Sequence, residues 1–213
     1  MGREQAEREE ARFAAERDVI YRAVGQYFVA FSVVVGSMRR ALGRGFERPG
    51  QEPMLVDALF SDLMAMNMAR AFFAACSMIA DPKQDEVEQE IGKRLNAIVK
   101  AAIEDRNELA HGDWMLLQGW EPEAGLEPKL TRFRLTSGNP RPELLDVSPP
   151  ILDQRSDALQ RLHSLVQEYG EICLPEPGWT APYRVREVFA IEDKRLVRIG
   201  WPTGYASRSE FRS

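Results

Sequence analysis

Apolar positions recur at steps of three and four through most of this chain, and give way to alternation in only a few short stretches. From Arg3 to about Arg44, Val19, Ala23, Tyr27 or Ala30, Val34 and Met38 line up as one stripe, which predicts a long helix with a buried face. Around Phe28 to Val35 the apolar character runs nearly all round, so the middle of this helix should be enclosed by others. The charged residues before Asp18 pair at helical spacing, Glu4 with Arg8 for example, and read as a solvated extension. Gly43, Gly45, Pro49, Gly50 and Pro53 end it in a loop.

A second helix is predicted from Pro53, a favoured first-turn residue, to about Ala80, with Leu55, Leu59, Leu63, Met66, Arg70, Phe73 and Ser77 in its stripe. Its methionines (Met64, Met66, Met68, Met78) read as gap-filling core, against an adaptable binding groove as the alternative. The third helix has a clear start, with Asp81 as cap, Pro82 in the first turn and Gln84 at the capping-box position. Its stripe is Val87, Ile91, Leu95, Ile98, Ala102 and Ile103, and it should stop at His111 or Gly112, because glycine commonly follows a helix end. A fourth runs from about Leu152 to Cys173, with Leu159, Leu162, Leu165 or Val166, Tyr169 and Cys173 inward. His163 falls beside that stripe and is read as a packed or half-exposed residue with no assigned role.

Between the third and fourth helices the period changes. Trp114 to Gln118 and Lys129 to Thr136 lean to β structure, with Thr131, Phe133 and Leu135 alternating with Arg132 and Arg134, so a β-hairpin is predicted there. Gly138, Pro140, Pro142, Pro149 and Pro150 are read as a linker. Beyond Pro175, Arg184 to Ile191 and Arg195 to Ile199 flank a Glu192-Asp193-Lys194 turn, a second candidate hairpin in a tail rich in Pro, Gly and arginine. That tail can cover the bundle, meet a partner or touch RNA, with a solvated appendage as the plain alternative. The pattern as a whole predicts a mainly α protein: a four-helix bundle over residues 1–174 with a small β insertion, then a C-terminal tail over 175–213.

Composition narrows the chemistry. With 213 residues, 44% of them hydrophobic, the chain can bury a core without a disulfide or metal staple. The two cysteines, Cys76 and Cys173, read as buried thiols, one disulfide being the alternative. Two histidines and no Cys-x-x-Cys pair leave too few ligands for zinc, so no metal and no cofactor is expected. The charged N-terminus lacks the pattern of a secretory signal. The uncharged run between Arg22 and Arg39 falls short of the roughly 20 residues that span a bilayer. A cytoplasmic protein without a membrane partner is the resulting expectation. A net charge of −5 gives no general attraction to nucleic acid, so action on RNA must rest on a local cluster.

One cluster fits. Arg106, Asn107 and His111 lie together where the third helix is predicted to end, and Asn107 and His111, four apart, share a helix face. A guanidinium offers fixed paired donors to phosphate oxygens and stays charged. A histidine can act as base for a ribose 2′-hydroxyl or as acid for the leaving oxygen, and an asparagine can orient either partner. Arg132 and Arg134 are further candidates for substrate contact. The structural alternative is that His111 only caps the helix and Arg106 only pairs with Glu104 or Glu108.

Arg-Asn-x-x-x-His followed by glycine, closing a helix in a helical chain, resembles the HEPN superfamily (higher eukaryotes and prokaryotes nucleotide-binding domains), over about residues 10–173. The resemblance implies a four-helix bundle that pairs as a homodimer, with two copies of the motif across one cleft. Many members are metal-independent endoribonucleases that leave 2′,3′-cyclic phosphate ends, and act in toxin–antitoxin, phage-defence and RNA-processing systems. It therefore implies RNA as substrate, Arg106, Asn107 and His111 as catalytic residues, and a cognate antitoxin as a partner. Other members are inactive scaffolds, so a non-catalytic module for protein or nucleotide binding is the alternative. Some toxin members carry a tyrosine two residues after the histidine, a target for nucleotidylation. This chain has Asp113 there, which does not support that mode of control.

Overall fold

In a computed structural model of the protein, the described residues are 3–46, 63–79, 86–118, 126–136, 139–175 and 184–199. They are mainly helical, with a few small strands. Helices α1 (Arg3–Phe46), α2 (Ala65–Ile79) and α3 (Glu86–His111) come first. Strands β1 (Asp113–Gln118), β2 (Leu126–Thr136) and β3 (Asn139–Asp146) follow, then helix α4 (Pro149–Cys173). A one-turn helix α5 (Val185–Val188) leads into β4 (Phe189–Glu192) and β5 (Arg195–Arg198). The predicted start at Pro53 and the cap at Asp81 lie outside the described residues.

The chain divides into two compact units, Met1–Ser32 with Glu104–Gln160, and Val33–Ile103 with Arg161–Ser213. In the first unit, Ile20, Ala23, Tyr27 and Phe31 of α1 are buried, as are Leu109, Leu130, Val147, Leu152 and Leu159. Its three strands form one antiparallel sheet in the order β1-β2-β3. The third strand corrects the linker predicted from Pro140 and Pro142. A proline lacks the N–H that a ladder needs, so it is tolerated only where that N–H would face no strand. Pro140 and Pro142 are two apart on an edge strand, so both ring nitrogens face the same side. The Val147 N–H donates to the Pro128 carbonyl at 3.4 Å, and with the regular register this directs the backbone N–H and C=O groups of the odd-numbered residues of β3 toward β2 and leaves the backbone nitrogens at 140 and 142 on the other side. Pro128 itself sits at the end of that ladder, where its missing N–H interrupts nothing.

In the second unit, Val34, Met38, Ala41 and Leu42 of α1 pack with α2, α3 and the later part of α4 in a core that includes Phe72, Ile91, Leu95, Val166 and Tyr169. The Tyr169 ring lies 6.2 Å from Phe72, 6.1 Å from Phe73 and 6.4 Å from Phe189, distances within the range of favourable aromatic contact. Gly170 gives the helices room: a Cβ there would lie 2.8 Å from the Ala41 Cβ and 3.2 Å from the Phe72 ring. Cys76 and Cys173 are buried free thiols. The expected C-terminal hairpin is present as β4 and β5, joined through Asp193 (φ 47°) and Lys194 (φ 63°). Two successive left-handed residues are what a tight hairpin turn matching the strand twist requires. Val185, Val188 and Phe189 are buried, Arg184 makes a two-pronged bond to Glu88 at 2.9 Å each, and Arg198 meets Glu168 at 2.8 Å. Residues 184–199 are thus packed into this unit.

The stripe of α4 is as predicted, with Val166 buried rather than Leu165. Three others shift. On α1, Val19 is 51% exposed, and Ile20 and Phe31 take the inward positions. On α2 the buried residues are Met68, Ala69, Phe72, Ala75 and Cys76, whereas Arg70 and Ser77 are exposed; only Met68 of its methionines is fully buried. A dense apolar segment carries little periodic contrast, so a stripe read through Arg70 was set a step off. On α3, Val87 and Ile98 are exposed and Glu88 and Val99 lie inside. Residues Glu7–Phe46 of α1 are long and apolar enough to cross a membrane by length and composition, a test that a core helix also passes.

Candidate functional site

Helix α3 ends at His111, where it was predicted to end. Its last carbonyls are not left bare: the Gly112 N–H donates to Glu108 O at 2.9 Å, and the Trp114 indole N–H donates to Leu109 O at 2.8 Å. Gly112 is not in the left-handed conformation expected of a helix-ending glycine. It is needed for space instead. A Cβ there would sit 2.6 Å from Leu130 Cδ1 and 2.8 Å from Glu108 O, one a buried side chain and the other backbone. The close approach of β2 to the helix end holds the motif's last turn against the sheet.

Arg106 is half-buried. Its guanidinium carbon lies 5.5 Å from the Phe28 ring centroid and 5.9 Å from that of Phe31, both on α1, within cation–π range. Nη1 donates to Asn107 Oδ1 at 3.2 Å. Among the described residues all these partners are neutral, and Arg106 forms no ion pair with Glu104 or Glu108. Asn107 thus meets Arg106 rather than His111. His111 is exposed and makes no hydrogen bond among the described residues. Arg106 and His111, five residues apart on a helix of 3.6 residues per turn, lie about 140° apart around its axis. Arg132 and Arg134 stand on β2, in register with Glu143 and Arg141 of β3.

One group of residues beside the motif was not foreseen. The Tyr27 hydroxyl donates to Asp105 Oδ2 at 2.8 Å, and Arg155 Nη1 donates to Asp105 Oδ1 at 2.8 Å. Tyr27 comes from α1 and Arg155 from α4, so the residue just before Arg106 is tied to both. Burial holds the Tyr27 phenol neutral by pushing its pKa well up. The bond to Asp105 and that carboxylate's charge push the same way, while Arg155 and Arg106 pull it down. Tyr27 is therefore a fixed hydrogen-bond donor. Its signal in the sequence was only an apolar-stripe position that could equally have been Ala30.

In the second unit, His163 Nδ1 lies 2.7 Å from the buried Ser37 Oγ, which also accepts from Arg40 Nη2 at 3.0 Å and lies 3.0 Å from Val33 O. A hydroxyl has one hydrogen, so Ser37 donates either to Val33 O or to the imidazole. Burial lowers the His163 pKa, and the Arg40 charge lowers it further. No three His, Cys, Asp or Glu side chains converge as a metal site among the described residues. Comparison with protein-family models, with curated proteins and with solved structures gave no match.

Proposed function

We propose that this protein is a HEPN-like, metal-independent endoribonuclease that works as a homodimer. The observation that carries the reading is Arg106: a charged guanidinium whose partners among the described residues are neutral, five residues before an exposed histidine at a helix end. A cation held by ring faces and an amide keeps its charge uncompensated, and a phosphate is the anion that matches its paired donors.

The chemistry follows from those two groups. An imidazole removes the proton of a ribose 2′-hydroxyl, the 2′-oxygen attacks the adjacent phosphorus, and the bond to the 5′-oxygen breaks. The leaving oxygen takes up a proton, and a 2′,3′-cyclic phosphate remains. Arg106 stabilises the charge that builds on the phosphoryl oxygens, and Asn107 orients the guanidinium. Base and acid are needed on opposite sides of the phosphorus, and a homodimer supplies two copies of His111. A positioned acid or base contributes ~10²–10⁴ in rate and a charge-stabilising donor ~10²–10³. Pairing as a homodimer is part of the same reading, and so is a cytoplasmic location. A role in toxin–antitoxin or defence systems, with a cognate antitoxin as partner, belongs to the same reading.

Incubation of the protein with mixed single-stranded RNA and a chelator tests this. Wild type cuts, and Arg106→Ala and His111→Ala lose at least a hundredfold in rate while keeping the wild-type melting curve, on the order of a lost acid/base or charge donor. Full activity in both variants ends the proposal. The competing reading, a non-catalytic module that binds protein or nucleotide, is favoured by the net acidic charge. It predicts no cleavage, and a change of binding or dimerisation in Arg106 variants.

A further inference from the structure

Asp105 is the nearest carboxylate in sequence to Arg106, yet it does not pair with it. Both of its oxygens are engaged elsewhere, Oδ2 by the Tyr27 hydroxyl and Oδ1 by Arg155, each at 2.8 Å. The pair with Arg155 is half-buried, with side-chain exposures of 34% for Asp105 and 29% for Arg155. Arg106 meanwhile lies against Phe28 and Phe31, on the same stretch of α1 that carries Tyr27. An adjacent side chain is within its reach, because it already bonds that of Asn107 on the other side. A carboxylate freed at position 105 would therefore have a guanidinium beside it, and charge-assisted pairs of this kind form readily.

We infer that Tyr27 and Arg155 act as a clamp that keeps the Asp105 carboxylate off Arg106, so that Arg106 stays free to take a nucleic-acid phosphodiester. Asp105, Tyr27 and Arg155 are positioning residues in this scheme; Arg106 is the one that meets the phosphate. The inference deepens the proposed site and rests on Arg106 binding phosphate, but it does not require that the bound strand be cut.

The test uses the full-length protein and a fluorescent single-stranded DNA oligonucleotide, which has no 2′-hydroxyl and cannot be cleaved by the proposed route. Affinity is read by anisotropy. Arg106→Ala gives the baseline for a lost phosphate contact. Arg155→Met frees Oδ1 and is expected to weaken binding about tenfold, the lower end for losing a charged hydrogen bond. Arg155→Met with Asp105→Asn removes the freed carboxylate and returns affinity to within about threefold of wild type. The decisive control is Arg155→Met with Asp157→Asn. Asp157 is exposed on the same helix, and this pair restores the net charge equally. It should stay about tenfold weak, because the carboxylate at 105 is still present.

If both double variants recover, long-range charge explains the effect and the clamp is wrong. If neither recovers, Arg155 is only a brace for the fold and the clamp is again wrong. Oligonucleotide binding that does not depend on Arg106 overturns the inference and the proposed site together. Recovery by Asp105→Asn alone, in a protein that cuts no RNA, keeps the clamp and removes only the nuclease reading.

Discussion

Gly112→Ala perturbs the point where the motif helix meets the sheet, and its cost can be worked from the contacts. The new methyl would lie 2.6 Å from Leu130 Cδ1, 2.9 Å from Leu130 Cγ and 2.8 Å from Glu108 O. Carbon atoms in favourable contact stay about 3.5–4.0 Å apart, so the methyl needs close to an ångström of relief on the Leu130 side. Leu130 has no exposed surface and cannot swing into solvent. Glu108 O is backbone, and it accepts the Gly112 N–H that closes the helix. Overpacking of this kind costs about 1–3 kcal/mol. For a chain of this size that lowers the melting temperature by roughly 2–4 °C per kcal/mol. Urea denaturation at constant m-value is the assay. Leu130→Val shortens the clashing side chain, and combined with Gly112→Ala it should recover part of the loss but not all, because Glu108 O remains. Leu130→Val alone costs about 1 kcal/mol, so the coupling in the double-variant cycle is the quantity to read. Stability unchanged by Gly112→Ala, or a cycle with no coupling, refutes the claim that space, rather than backbone conformation, requires glycine at 112.

Three further outcomes are expected. The His163 pKa is lowered in the folded protein, so between it and the ordinary value of 6.5 the unfolded chain holds the extra proton. Stability from this site is whole above pH 6.5 and falls as the pH drops below it, and denaturation of His163→Gln should show a shallower loss over that range. Cys76 and Cys173 are buried, and burial raises the Cys76 pKa, with the adjacent Cys173 raising it further. Both thiols should resist an aromatic disulfide reagent in the folded protein and react fully in denaturant. Gly170→Ala should cost about 1–3 kcal/mol by chemical denaturation, since its methyl would press on Ala41 and Phe72.

Much of this fold could be read from spacing alone. The end of α3 at His111 and the inward face of α4 follow from strong contrast between apolar and charged positions. Where contrast fails, so does the reading: α2 is apolar on most sides, and its buried face was set a step off, through Arg70. Pro140 and Pro142 suggest a linker because proline opposes strands, and an edge position with their backbone nitrogens on the side away from β2 reconciles them with β3. The candidate residues Arg106, Asn107 and His111 can be picked out from sequence because they are local. The group around Asp105 was not, because its partners lie 78 and 50 residues away and each carries an ordinary helical alternative. Ser37 and His163, 126 residues apart, were hidden for the same reason.

On the proposed route a ribose 2′-hydroxyl is the nucleophile at a phosphate held by Arg106. An RNA oligonucleotide with a single cut site, compared with the same strand carrying one 2′-deoxy nucleotide just 5′ of the scissile phosphate, tests it most directly in the presence of chelator. The all-RNA strand should be cut to a 2′,3′-cyclic phosphate end, and the substituted strand should survive intact. Cleavage of both strands at the same bond, or of neither, would contradict the account.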